Sequence, residues 1–357
     1  MNESLLLLLG YGLALTLLFF LLMWAHLAYW RRKLSTEVPY DEMHKVMLPS
    51  GSFCELRRLK APGPTELPPV LMVHGIAINH RNLDPRTDVS LARAVRDAGH
   101  DVWLLTLRSG RWDLTAAEKR KLDFAALSHE DIPAGVEFVL KATGHKHLDY
   151  LGFSMGGMLA YASLGVTVPL NVFRRVVIMG SPGFVGALLP GTKAAAWLGH
   201  YWKPTVPGRL LNGLFAFVAE IAQSPIQHVF LNPHNSQKGL LHAFMIDATA
   251  DIPGPLAMNM VHWAAKDGKV MLGDVPVLEG LKNVHLPVLF VVGGADKLGT
   301  PKALRAAYEA WGGPKKWIML SKEEGYSANY GHMDMVTAPK APEEVFAPII
   351  QFLGEKP

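Results

Sequence analysis

Gly152-Phe153-Ser154-Met155-Gly156 sets one serine between two glycines. Six mostly apolar residues, "LDYLGF" over 148–153, run into it, and an apolar, helix-patterned stretch leaves it. G-x-S-x-G between a strand and a helix is a nucleophile elbow. The turn is sharp, the glycines let strand and helix approach, and the hydroxyl is lifted to the sheet's edge. The pattern alone is weak, so its weight rests on this context and on finding partners for the serine. A serine hydroxyl is a poor nucleophile until a base takes its proton and a carboxylate orients that base. In this architecture the chain order is serine, acid, histidine. Asp296 follows the apolar run "VLFVVGG", and His332, in "NYGHMDMV", is the sole histidine beyond that run. The expected catalytic set is therefore Ser154, Asp296 and His332. An oxyanion needs two donors. The Met155 N–H lies next to the serine, and "VLMVHGIAINH" supplies the Ile76 N–H from the loop after an earlier strand.

The elements that must position these groups alternate along the chain. "HKVMLPSGSFCELRRL" reads as two strands around a Pro-Ser-Gly turn. "PVLMV" (69–73), "VWLLTL" (102–107), "LDYLGF" and "RVVIMG" (175–180) are short continuous apolar runs, as in strands buried on both faces. Between them, "SLARAVRDAGH" is helical with Leu91, Val95 and Ala98 on one side, and "DIPAGVEFVLKATG" is helical with Ile132, Val136, Val139 and Leu140 on one side. The alternation predicts a mostly parallel sheet covered by helices. It stops from Phe184 to about Val284, a stretch rich in apolar and aromatic residues, and resumes with "PVLFVVGG". Next come a helix opened by Thr300 and Pro301, the strand "KKWIML", and a last helix in "PEEVFAPIIQFLG". The expected organisation is an N-terminal anchor over 1–34, a core over 35–183, an inserted cap or lid, mainly helical, over 184–284, and the rest of the core over 285–357.

The apolar run of 5–25 carries no charge, and 21 residues of helix reach roughly 32 Å, enough to cross a bilayer. Trp24, Tyr29 and Trp30 suit the interface, and Arg31, Arg32 and Lys33 follow. The n-region "MNES" lacks a basic residue and the run is long for a cleaved leader, so 5–30 is expected to remain as a single membrane span. The basic flank predicts a cytoplasmic catalytic domain. Cys54 is the sole cysteine, so no intrachain disulfide forms. The net charge of +4 is mild and scattered, and nucleic acid binding is not expected. His145 and His147 have no third ligand nearby, and no G-x-G-x-x-G follows a first strand, so neither a metal nor a nucleotide cofactor is expected. His80, His129 and Asp334 fall near the site in topology and are expected to brace loops.

In order along the chain, "HG" at 74–75, "SLARAVRDAGHDVWL", "DIPAGVEFVLKATGHKHLDYLGFSMGG", "VHWAAKDGKVMLGD", "GGADKL" and "YGHMDMV" resemble the α/β-hydrolase superfamily. Within it they look most like acid (gastric/lysosomal-type) lipases and their bacterial relatives. The likeness runs from about His44 to Phe352. It implies a serine hydrolase of lipophilic carboxylic esters, with nucleophile Ser154, acid Asp296, base His332 and oxyanion donors Ile76 and Met155. It also implies a cap where the insertion falls. The elbow departs from the family's usual His-Ser-Gln-Gly, being Phe-Ser-Met-Gly. The N-terminal half also looks like polyhydroxyalkanoate synthases, which carry cysteine at the elbow, so Ser154 argues against polymer synthesis. An acyltransferase or thioesterase with the same three residues is the alternative, and a membrane-tethered binding protein is a further one. Trp197, Tyr201, Trp202, Phe215, Phe217, Phe230 and Phe244 belong to the insertion. Most are expected to pack the cap, and a few to line an apolar tunnel.

Overall fold

A computed structural model of the chain describes residues 3–186, 191–221 and 227–355. The expected cap thus includes two short stretches outside the described residues. Ten strands are described: β1 (Glu42–Met47), β2 (Phe53–Leu59), β3 (Val70–Val73), β4 (Val102–Thr106), β5 (Leu148–Phe153), β6 (Phe173–Met179), β7 (Met271–Leu272), β8 (Val275–Pro276), β9 (Val288–Gly293) and β10 (Lys315–Leu320). Eight of them form one sheet in the order β1-β2-β4-β3-β5-β6-β9-β10, while β7 and β8 make a separate small hairpin. β1, β2 and β4 pair antiparallel in succession, and every pairing from β4 to β10 is parallel.

β3, β4, β5 and β9 are buried at every residue, which is why they read as unbroken apolar runs. Each large apolar side chain taken fully from water there contributes roughly 1.5–3 kcal/mol. Two buried clusters cover the two sheet faces. One gathers Leu71, Trp103 and Phe290 with the helix Ile132–Thr143, the other Met72, Leu104 and Leu289 with Leu91 and the C-terminal helix. Helix ends follow local chemistry. Ser90 and Thr300 accept from the Arg93 and Ala303 N–H groups, and Gly144 closes Ile132–Thr143 at φ 71°. Ala98, expected on the buried side of its helix, is exposed, because it is the residue at which the helix Leu91–Asp97 ends.

The described residues between β6 and β9 are mainly helical, including Thr192–Leu198, Gly208–Phe215 and Gly254–Ala265. The last part of this segment returns to the body of the molecule. Val270, Val277, Leu281 and Val284 share the buried cluster of the sheet. The N-terminal helix Glu3–Leu34 is exposed all round from Leu7 to Leu22. Beyond that, Met23, His26, Leu27, Trp30 and Leu34 form a one-sided, partly buried stripe at helical spacing. This stripe meets the insertion. Leu27 lies against Gly213, His26 Nε2 is 3.1 Å from the Leu214 carbonyl oxygen, and Trp30 stacks on Phe217 at 5.2 Å. Leu7–Leu34 is long and apolar enough to cross a membrane, a property that a signal sequence shares.

Candidate active site

Ser154 sits at the end of β5 and caps the helix Met155–Ser163 with φ 55° and ψ −119°. Among the described residues, Ser154 and Ala77 alone combine a side chain with positive φ. Such backbone costs of order 1–3 kcal/mol and persists where its surroundings over-determine it. The packing here does so. A Cβ on Gly156 would lie 2.2 Å from the Val73 carbonyl oxygen, and one on Gly152 would lie 2.5 Å from the Gly157 nitrogen. The Ser154 N–H donates to the Met179 carbonyl at 2.8 Å, docking the elbow on β6. Tyr150 Oη donates to the Gly156 carbonyl at 2.7 Å from beneath.

His332 comes from the loop after β10, and Asp296 from the loop after β9. Their side chains meet, with His332 Nδ1 2.7 Å from Asp296 Oδ2. The other carboxylate oxygen accepts the Leu298 and Gly299 N–H groups, both at 2.8 Å. With Nδ1 donating to the carboxylate, Nε2 is the nitrogen left to act as base. The His332 ring lies 4.9 Å from that of Phe153, and His332 and Ser154 line the same cavity. No hydrogen bond joins Ser154 to His332 in this arrangement. Such bonds are often long before substrate binds. Asp334, expected to brace a loop, does so. It accepts from the Gly331 N–H at 2.7 Å and the Asn232 N–H at 3.0 Å, and so ties the histidine's loop to the insertion. His80, from the same group, is buried with Nδ1 2.8 Å from the Thr106 hydroxyl.

Gly75 passes so close to the elbow that a Cβ there would be 2.9 Å from Ser154 Cβ. The Ile76 and Met155 N–H groups are not taken up by other backbone carbonyls. The residue that shapes this loop is His74, to which the sequence motifs assign no role. Its Nδ1 is 2.7 Å from the Gly75 carbonyl oxygen, and its Nε2 accepts the Leu107 N–H at 3.1 Å. The second contact forces Nδ1 to carry the proton. Burial pushes the His74 pKa down to about 4, so the ring stays neutral. Its partner lies 33 positions away on the neighbouring strand's end, where local sequence carries no signal. The loop is also held from above. The Asn79 N–H donates to the Ala248 carbonyl, and the Ala250 N–H to the Ala77 carbonyl, both at 2.8 Å.

The cavity over Ser154 has a volume of about 190 Å³ and a mostly apolar lining. Ile76 and Phe153 come from the core, and Phe230, Leu231, Phe244 and Met245 from the insertion. Of the seven aromatic residues singled out in the insertion, Phe230 and Phe244 therefore line the cavity. Phe217 stacks on Trp30, and Trp197, Tyr201, Trp202 and Phe215 are exposed. The expectation that most would pack the cap is corrected: four face outward, where neither core nor cavity takes them up.

The family described as "alpha/beta hydrolase fold" matches residues 68–339. The chain is 23% identical to human gastric triacylglycerol lipase (Homo sapiens), over 88% of each chain. It is 35% identical to a Crotalus adamanteus protein provisionally named a lysosomal acid lipase/cholesteryl ester hydrolase, over 80% of this chain and 79% of that one. Among solved structures, a hydrolase from Pseudomonas aeruginosa superposes with a TM-score of 0.55 at 15% identity, covering 88% of this chain and 99% of that one.

Proposed function

The chain belongs to the α/β-hydrolase fold family, as a distant relative of gastric and lysosomal acid lipases, and we propose that it is a membrane-held serine hydrolase of hydrophobic carboxylic esters. One observation carries the reading. A strained serine and a histidine held on a buried carboxylate open into one apolar cavity.

Ser154 Oγ attacks the ester carbonyl carbon while His332 Nε2 takes its proton. Asp296 holds the Nδ1–H and stabilises the imidazolium that results. The tetrahedral oxyanion accepts from the Ile76 and Met155 N–H groups, at the positive end of a helix that starts at the elbow. Collapse expels the alkoxide, which takes the proton from His332 and leaves as the alcohol, with the acyl group on Ser154. Water gives a proton to His332 and attacks the acyl carbonyl. The second collapse returns the proton to Ser154 and frees the acid.

Residues 184–284 act as the cap in this reading, since its side chains close the cavity over Ser154. The N-terminal helix remains as an anchor, which the packing of His26, Leu27 and Trp30 against the insertion supports. The basic flank at 31–33 puts the catalytic domain in the cytoplasm. The cavity's size sets the acyl preference. An apolar cavity of about 150 Å³ admits benzene, so about 190 Å³ suits a short or medium acyl chain.

The test is hydrolysis of p-nitrophenyl esters, from acetate to palmitate, by the full chain in detergent, beside Ser154→Ala. The parent is expected to peak at short to medium chains, and the variant to lose at least a thousandfold in kcat. Equal rates in parent and variant would remove Ser154 from the mechanism. A peak at palmitate would mean that the cap moves to admit long chains.

A further inference from the structure

Arg31 stands in the last turn of the N-terminal helix, and Arg209 in the insertion helix Gly208–Phe215. The fold brings the two side chains together. Arg209 and Gly213 are four residues apart and share a face of their helix. A Cβ on Gly213 would lie 3.7 Å from Arg31 Nη2 and 3.9 Å from Arg31 Nε, so the Arg31 guanidinium lies against that face. The Arg209 guanidinium rests on the Trp112 ring, 4.0 Å from its centroid. Burial and the neighbouring Arg31 charge hold the Arg209 group below the usual arginine range, with Asp251 opposing them.

Neither cation is neutralised within the chain. Both are half-buried, and among the described residues neither guanidinium forms an ion pair or a side-chain hydrogen bond. Arg209 Nε is buried without a partner. The carboxylate acting on Arg209, that of Asp251, is engaged elsewhere. Its Oδ1 accepts the Arg209 backbone N–H at 3.3 Å, and its Oδ2 pairs with Lys119 Nζ at 2.7 Å. The carbonyls at a helix C-terminus favour a cation such as Arg31. They do not account for a second cation brought against it from the insertion. Two like charges in partly buried surroundings repel, and an oxyanion between them removes both the repulsion and the unmet N–H donors.

We propose that Arg31 and Arg209 form a binding site for a phosphate or phosphate monoester, which bridges the N-terminal helix to the insertion. Such a group carries nearly two charges and three or more acceptor oxygens, enough for both guanidinium forks, whereas the two oxygens of a carboxylate fill one. The occupied site would fix the helix that also carries Asn212, which lines the cavity over Ser154. The phosphate can come from solution or from a lipid headgroup, since Arg31 ends a helix long enough to cross a bilayer. The lipid source rests on the reading of that helix as an anchor. The site itself depends neither on that reading nor on the ester chemistry.

The test follows thermal unfolding of the full chain in a neutral detergent at constant ionic strength. Inorganic phosphate or dioctanoyl phosphatidic acid is titrated in, with dioctanoyl phosphatidylcholine as the zwitterionic control. A ligand of the folded chain raises the midpoint as its concentration rises. The parent midpoint is expected to rise with at least one of the two phosphates. Arg31→Gln and Arg209→Gln are each expected to need about tenfold more ligand for the same rise. A response to inorganic phosphate shows that the anion suffices, and a response to phosphatidic acid alone assigns a lipid headgroup. No rise in the parent, equal rises in parent and variants, or an equal rise with phosphatidylcholine overturns the site. Arg31→Gln leaves the stack on Trp112 in place and decides the matter if Arg209→Gln does not fold. Hydrolysis of p-nitrophenyl butyrate is measured alongside. An inactive parent whose midpoint still responds to phosphate counts against the esterase reading and supports the site.

Discussion

Asp296 spends both carboxylate oxygens on orientation, one on His332 Nδ1 and one on two backbone N–H groups. Its role in the proposed mechanism is to keep the imidazole in the tautomer whose Nε2 faces the serine. Asp296→Asn can keep the contacts to the Leu298 and Gly299 N–H groups while offering its amide N–H to Nδ1, which then becomes an acceptor and moves the proton to Nε2. The expected outcome is a fall in kcat of roughly ten thousandfold, with the urea unfolding midpoint little changed. A loss of less than tenfold would show that the acid of the mechanism lies elsewhere. The types and chain order of Ser154, Asp296 and His332 are legible in the amino-acid sequence. The role of His74 is not, because its work is done through the end of a strand adjacent in the sheet and distant in the chain.

At the scale of the element, the site hangs on four loops at the same end of one mostly parallel sheet, those after β3, β5, β9 and β10. Three of them carry a brace of their own: His74 after β3, the glycine-packed elbow after β5, and Asp334 beneath the His332 loop. The brace after β3 has a pH signature. The folded pKa of His74 is about 4, below the ordinary value of 6.5, so the unfolded chain binds this proton first as pH falls. The stability tied to this histidine is complete above pH 6.5 and is lost as pH falls from 6.5 to about 4, by about 3 kcal/mol at most. Asp131 works in the opposite sense, because burial raises its carboxyl to about 6 and the fold favours its neutral form. A comparison of the parent with His74→Gln cancels that and every other shared group. Urea unfolding at pH 7 and pH 4.5 is expected to show a smaller acid-induced loss in the variant. Parallel losses in both would mean that the ring is not buried neutral. Strand positions were readable because full burial leaves unbroken apolar runs. The end of the helix at Ala98 was less so, since its apolar periodicity continues for one residue past the last residue in helical geometry.

At the scale of the whole molecule, the N-terminal helix, the insertion and the loop after β3 form one connected assembly. His26, Leu27, Trp30 and Leu34 pack on the insertion, Asp247 of the insertion holds Ser35 and Thr36, and Ala248 and Ala250 hold the loop from Ala77 to Asn79. A leader cut away after folding would strip this packing from the cap. The proposed anchor is thus expected to survive: an epitope at the N-terminus stays with the catalytic domain in the membrane fraction at full mass. Protease added to intact cells is expected to leave the domain whole, and to degrade it once the membrane is opened. A soluble, shortened domain would show that the helix is a removable leader, and digestion in intact cells would reverse the orientation.

The sequence by itself determined the local and the ordered: buried strands from unbroken apolar runs, a sharp glycine-flanked turn at a serine, and a carboxylate and a histidine after later strands as the proposed acid and base. These signals are legible because each depends on residues a few positions apart, or on chain order along a repeating strand–helix plan. Tertiary structure alone decided which aromatic residues of the insertion enter the cavity, which stack on the N-terminal helix and which face outward. It also decided that His74 braces the loop after β3, the proposed oxyanion loop, and that Asp247 ties the N-terminal helix to the insertion. Each of these depends on partners brought together from distant parts of the chain, and a linear pattern carries no trace of such a meeting.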